Sequence, residues 1–212
     1  MRSLGFCAVV FAANEAQAGW LHFGRPAETR TEAPGSARAP AGGPSNLNMV
    51  EAIRLAASRD LSDKNARKCQ GKRGGDLTSC VRALPLKGPK VQLELCFRYV
   101  KYALLMASCG RSYIPGSRPE KDAGPGLKGA GFRQVFSGKV RDLKAQAKII
   151  NGAPDGAVAV YSDTCSHYGH IEVKDGANRV SDFVRGATQP IRPCGTYVLE
   201  GIYVKDPAAC RI

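Results

Sequence analysis

Near residue 156 the chain changes its hydrophobic period, and that change limits the fold more than any other feature. Before it, "NLNMVEAIRLAASRDL" carries Met49, Ile53, Leu55 and Ala56 at helical spacing and predicts an amphipathic helix opening the domain. "ALPLKGP" then breaks the chain, and a second helix is expected over residues 91–107, beginning at Val91. "IPGSRPEKDAGPG" reads as a loop, and "LKGAGFRQVF" as a short helix running into a strand. After it come "GAVAVYSD", "GHIEVKD", "NRVSDFV" and "TYVLEGIYVKD", short β-rich segments separated by Gly, Asp, Asn or Pro. Helices first and strands later predict an α+β domain with a small antiparallel sheet. No internal repeat is present.

The N-terminus sets the expected compartment. "MRSLGFCAVVFAANEAQAGW" places Arg2 before an apolar stretch from Leu4 to Ala13 and then Ala16-Gln17-Ala18. That is the layout of a secretory signal occupying residues 1–18, so a secreted or periplasmic protein is expected. Residues 19–45 contain "GRPAETRTEAPGSARAPAGGPS", rich in Pro, Ala and Gly without apolar periodicity, and read as a flexible linker. The domain is expected over 46–212. No apolar run approaches the ~18 residues that a membrane span needs, so no integral membrane association is expected. Basic residues outnumber acidic ones 31 to 18, giving a net charge of +13. Such a charge favours an anionic partner: nucleic acid, acidic lipid or a cell-wall polymer. Nucleic acid is the weaker choice, because the basic residues are spread along the chain and aromatics make up only 7% without a stacking motif.

Removal of residues 1–18 takes Cys7 with it and leaves seven cysteines, an odd number. In an oxidising compartment six would form three bridges, with 15 possible connectivities, and one would remain a thiol. Cys69 and Cys80 flank "QGKRGGDLTS", a Gly-rich loop that could close on itself.

Cys96 falls near the start of the second helix, where Val100, Ala103, Leu104 and Ala107 continue its face toward the interior. A helix N-terminus favours thiolate over thiol, and its N–H groups can stabilise an oxyanion. The same position equally suits a small buried hydrophobe or a bridge partner. For a base the chain offers His22 beside the linker and His167 and His170 in "CSHYGHIEV". Strand alternation puts His170, Glu172 and Lys174 on one face, with Ile171 and Val173 on the other. A turn centred on Gly176 sets residue 170 opposite 182, so Asp182 is expected to orient the His170 imidazole. A one-residue slip would substitute Ser181.

"CFRYVKYAL" resembles the cysteine helix of the papain-like cell-wall peptidases, above all the CHAP group (cysteine, histidine-dependent amidohydrolases/peptidases), with NlpC-related enzymes and amidase effectors alongside. "YGHIEVKDGANRVSDF" is similar to their histidine strand, hairpin and following acidic residue. The resemblance spans roughly residues 90–185 in the family's order of cysteine, histidine and polar residue. It implies a cysteine helix packed on a small antiparallel sheet, with Cys96 as nucleophile, His170 as general base and Asp182 as orienting residue. The implied activity is cleavage of amide bonds in peptidoglycan, without metal or organic cofactor, by a monomer. A cognate inhibitor or immunity protein is an implied partner.

Two other readings compete. Cys165, His167 and His170 are zinc-ligand types within six residues, although structural zinc sites usually draw on two separated segments. A basic, disulfide-stabilised wall-binding protein without catalysis would have no need of a thiol at Cys96.

Overall fold

Asn48 starts the first helix by supplying what its leading amides lack. A computed structural model describes residues 47–88, 95–107, 120–165, 167–186 and 195–205; the expected signal segment and linker lie outside them. In α1 (Met49–Ser58) the Asn48 side chain accepts from the Glu51 N–H at 2.9 Å, and Glu51 returns the contact at 3.1 Å. This reciprocal cap satisfies two amides that have no partner within the helix. Ala52, Ile53 and Ala56 are the buried face of α1, while Met49 and Leu55 pack on its margin.

Two short helices that periodicity did not announce follow: α2 (Asp63–Lys68) and α3 (Gly74–Arg82). A disulfide joins Cys69, at the end of α2, to Cys80 in α3, as the flanking of the Gly-rich stretch suggested. The stretch itself is less of a loop than expected, because the chain is helical again from Gly74.

The cysteine helix, α4 (Cys96–Met106), begins at Cys96 itself; Leu95 is its N-cap. Residues 91–94, where an earlier start was expected, lie outside the described residues. Val100, Ala103, Leu104 and Ala107 are buried as the spacing predicted, and so are Phe97, Tyr99 and Met106. The wider burial arises because α4 packs against α1 and α3 on one side and a sheet strand on the other. Its polar groups are tied to the neighbouring helices. The Tyr99 hydroxyl donates to the Arg59 carbonyl and accepts from the Leu61 N–H, Tyr102 donates to the Ala66 carbonyl, and Arg98 pairs with Asp63 at 2.5 Å.

Glu120–Asp122 form a 3-10 turn leading into α5 (Ala123–Gly129), so the expected loop is partly helical here. The chain continues through β1 (Arg133–Val140), α6 (Leu143–Asn151), β2 (Val158–Asp163), β3 (His170–Asp175), β4 (Asn178–Val180), β5 (Val184–Arg185) and β6 (Tyr197–Val204). The six strands form one antiparallel sheet in the order β1-β6-β2-β3-β4-β5. The architecture is therefore α+β, as read from the sequence.

Alternation along the strands divides the interior in two. Val158, Val160, Ile171, Val173 and Val180 join the helical core that contains Cys96. Ala159, Tyr161, Leu199 and Ile202 face the other way and are covered by Ile150 of α6. No helix among the described residues is long and apolar enough to cross a membrane.

The Cys69–Cys80 bridge closes a loop of 11 residues. Restricting the unfolded chain over that length is worth about 3 kcal/mol. A Cys69→Ala/Cys80→Ala variant is expected to lose that amount in urea unfolding, with an unchanged far-ultraviolet circular dichroism spectrum.

Candidate functional site

The sequence-predicted residues divide between the two faces of the sheet: Cys96 shares the core of Ile171 and Val173, Asp182 meets the head of α4, and His170 pairs with Tyr161, which packs in the opposite cluster. The hairpin pairs Val173 with Val180, Lys174 with Arg179 and Asp175 with Asn178. Its turn is therefore the two residues Gly176 and Ala177, and Gly176 takes a positive φ of 57°. A turn centred on Gly176 alone would have needed three residues. Beyond Val180 the chain leaves this ladder: residues 181–183 turn it into β5, which pairs back on β4 through Val180 with Val184 and Arg179 with Arg185. Neither Asp182 nor Ser181 faces His170.

Phe183 does. Its ring stacks on the His170 imidazole at 5.7 Å between centroids and 18° between planes. Tyr197 of β6 stacks at 5.1 Å, and Tyr161 of β2, the cross-strand neighbour of His170, lies at 5.8 Å. The imidazole is 2% exposed. Its polar partner is Glu172, with Nε2 and Oε2 3.2 Å apart.

Glu172 is itself enclosed. Arg185 of β5 grips both its oxygens, with Nη2 at 2.5 and 2.6 Å and Nε at 3.0 Å, and the Tyr161 hydroxyl donates to Oε1. Burial pushes its pKa up. The hydrogen bond from His170, the charge of Arg185 and the Tyr161 bond outweigh burial and hold the carboxyl at about 2. Sequence alone marked Glu172 as sharing the His170 face; nothing in the pattern identified Arg185, 13 residues on, as its counter-ion.

Asp182 belongs to the other end of the site. Its Oδ2 accepts from the backbone N–H of Leu95 at 3.3 Å, and its Oδ1 accepts from the Ser181 hydroxyl at 3.1 Å. Lys87 and Tyr99 feel its charge. Burial pulls the Lys87 pKa down, with Asp182 working against the shift, and burial pushes Tyr99 up to about 12, with Asp182 adding to it. Among the described residues, then, the hydrogen bonds bring Asp182 to the N-cap of the cysteine helix and Glu172 to the imidazole. They do not bring Asp182 to His170. The contact expected between Asp182 and His170 is not among these hydrogen bonds, because residues 181–183 turn the chain from β4 into β5 and carry Asp182 to the helix head.

Cys96 occupies the first position of α4, is 8% exposed and stands as a thiol, whereas Cys69, Cys80 and Cys165 are in disulfides. Oxidation of Cys165 removes the thiolate on which a zinc site with His167 and His170 would depend. His167 is exposed. His22 lies outside the described residues. An open groove of about 610 Å³ between β1, α6 and β6, lined by Val135, Phe136, Lys148 and Ile149 among others, contains none of the sequence-predicted site residues.

Gly169 sets the angle at which β3 begins. It has a φ of 89°, and a Cβ there would run into the carbonyl oxygen of Tyr161, with the Lys121 amide at 3.1 Å. That amide donates to the Tyr168 carbonyl, fastening the 3-10 turn to the strand start.

No protein-family model matches the chain, and no curated protein matches it significantly. Among solved structures, the type VI native effector–immunity complex Tae3–Tai3 from Ralstonia pickettii is similar over 76% of this chain and 100% of that chain, at 20% identity and a TM-score of 0.41. A likeness of that size assigns neither fold nor activity.

Two outcomes are expected. Gly169→Ala loses about 1–3 kcal/mol from backbone strain alone, measured as a lowered thermal midpoint. The second concerns pH. The folded pKa of Glu172 lies below its unfolded value, so its contribution is complete above about pH 4.5 and is lost as pH falls toward about 2. The stability gap between wild type and Glu172→Gln, read from urea midpoints, should therefore narrow between pH 5 and pH 2.

Proposed function

We propose that the chain is a secreted cysteine hydrolase that cleaves amide bonds in peptidoglycan, within the stem peptide or between peptide and sugar. The observation that carries this reading is Cys96. It is a buried thiol on the first residue of a helix, in a chain whose other described cysteines are oxidised. Two further features support it. The hairpin bearing His170 is fastened to the head of that same helix through Asp182. "CFRYVKYAL" and "YGHIEVKDGANRVSDF" occur in the order of the papain-like wall peptidases.

In this reading Cys96 gives its thiol proton to His170, and the thiolate then attacks the amide carbonyl carbon. The transfer requires the imidazole, seated on the Tyr161 face of the sheet, to come within reach of the sulfur at the helix head. The first-turn N–H of Cys96 contributes to holding the oxyanion. Collapse of the tetrahedral species breaks the C–N bond as the imidazolium protonates the departing amine. Water then attacks the thioacyl carbon while His170 takes its proton, and the acid leaves as the thiol is restored. Asp182 serves from the nucleophile's side, holding the hairpin to the N-cap residue. The net charge of +13 draws the protein to an anionic wall polymer, and a cognate immunity protein is the partner such an enzyme would require.

Mass spectrometry of fragments released from purified peptidoglycan tests the reading. Cys96→Ala is expected to release product slower by on the order of a thousandfold or more, with wild-type thermal unfolding. Equal rates for the two proteins would remove the assignment. Co-sedimentation with the polymer but no product from either would instead fit a basic wall-binding protein.

A further inference from the structure

Glu172 lies two residues along β3 from His170, and strand alternation turns both side chains the same way. Its carboxylate is 1% exposed, yet it has a polar partner on every side: Nε and Nη2 of Arg185 and the hydroxyl of Tyr161 donate to it, and Nε2 of His170 lies 3.2 Å from Oε2. An ionised carboxylate only accepts hydrogen bonds. The imidazole nitrogen facing it must therefore be the one that carries hydrogen. In the neutral ring this leaves Nδ1 with the lone pair, so the tautomer follows from the contact.

The surroundings make the contact rigid. Arg185 and Tyr161 fix the carboxylate from β5 and β2, so it cannot swing away from the ring. Phe183 and Tyr197 stack on the imidazole and restrict its rotation. The segment 183–185 thus delivers both a ring for the histidine and a guanidinium for its carboxylate. Among the described residues, the charged and titratable groups around the imidazole are Glu172, Arg185, Tyr161 and Tyr197, with Arg179 coupled electrostatically to Glu172 and Tyr161. Of these only Glu172 touches an imidazole nitrogen.

We propose that Glu172, clamped by Arg185 and Tyr161, is the positioning residue of His170: it fixes the Nε2–H tautomer and leaves Nδ1 as the nitrogen that takes up and returns a proton. Use of that proton in catalysis rests on the hydrolase reading; the tautomer does not. Glu172 acts through His170 and does not itself meet substrate.

The experiment is a long-range ¹H–¹⁵N correlation spectrum of ¹⁵N-histidine-labelled full-length protein, paired with hydrolysis kinetics. With neutral His170, wild type is expected to show an unprotonated Nδ1 resonance far downfield of a protonated Nε2, the pattern of a single Nε2–H tautomer. An Nδ1–H tautomer, or an even mixture, overturns the proposal without any variant having to fold. Glu172→Gln is expected to reduce kcat/KM by at least tenfold, mostly in kcat, with circular dichroism unchanged. A folded Glu172→Gln enzyme with wild-type kcat/KM overturns it as well. Equal rates for wild type and Cys96→Ala would remove the hydrolase reading alone, and the tautomer spectrum would still decide the role of Glu172.

Discussion

The pairing of Asp175 with Asn178 across a two-residue turn determines which layer each side chain of the β3–β4–β5 ribbon enters. A strand slipped by one residue exchanges its two faces. With the observed register, Ile171, Val173 and Val180 complete the helical core, and Asp182 arrives at the head of α4. Phe183 meets the His170 ring, and Arg185 reaches Glu172. Shifted by one, the same ribbon would press aspartate against the imidazole and phenylalanine against a helix N-terminus, and Glu172 would lose its counter-ion.

Burial of so many polar groups is the energetic signature of this region. His170, Glu172, Arg179, Ser181 and Asp182 are each no more than 2% exposed. Ions removed from water are tolerated only when their partners are well placed, and deleting one partner of such a pair commonly costs about 3–5 kcal/mol. The structure meets most of that demand locally, although the buried Nε of Arg179 has no hydrogen-bond partner among the described residues. Arg179 donates to the Asn151 side chain and to the carbonyls of Gly176 and Asn178, tying the end of α6 to the turn. Arg54 of α1 holds Asp175 at 2.5 Å from the opposite side. The hairpin is therefore braced from both layers, which suits a scaffold that must hold an imidazole still.

Much of this was legible in the residues. The face of α4 read from Val100, Ala103, Leu104 and Ala107 is buried, the strands fall on the β-rich segments, and Cys69 meets Cys80. What escaped was short or non-local. Helices α2 and α3, of 6 and 9 residues, offer too few turns for a clear apolar stripe. Helix α6 has only Ile150 and Gln146 buried along its length. Both the residue stacked on His170 and the Glu172–Arg185 pair depended on how the chain turns after Val180 and folds β5 back on β4. Neither is encoded in a local pattern.

Helix α4 illustrates a further point about where information for a helix start resides. Leu95 has no side chain able to accept a hydrogen bond, and the acceptor for its amide comes from Asp182, 87 residues later. An excised peptide spanning 95–107 would thus lack the group that marks its own beginning. The boundary that places a sulfur at the helix tip is written in the hairpin, and it comes into being only when the two halves of the domain dock.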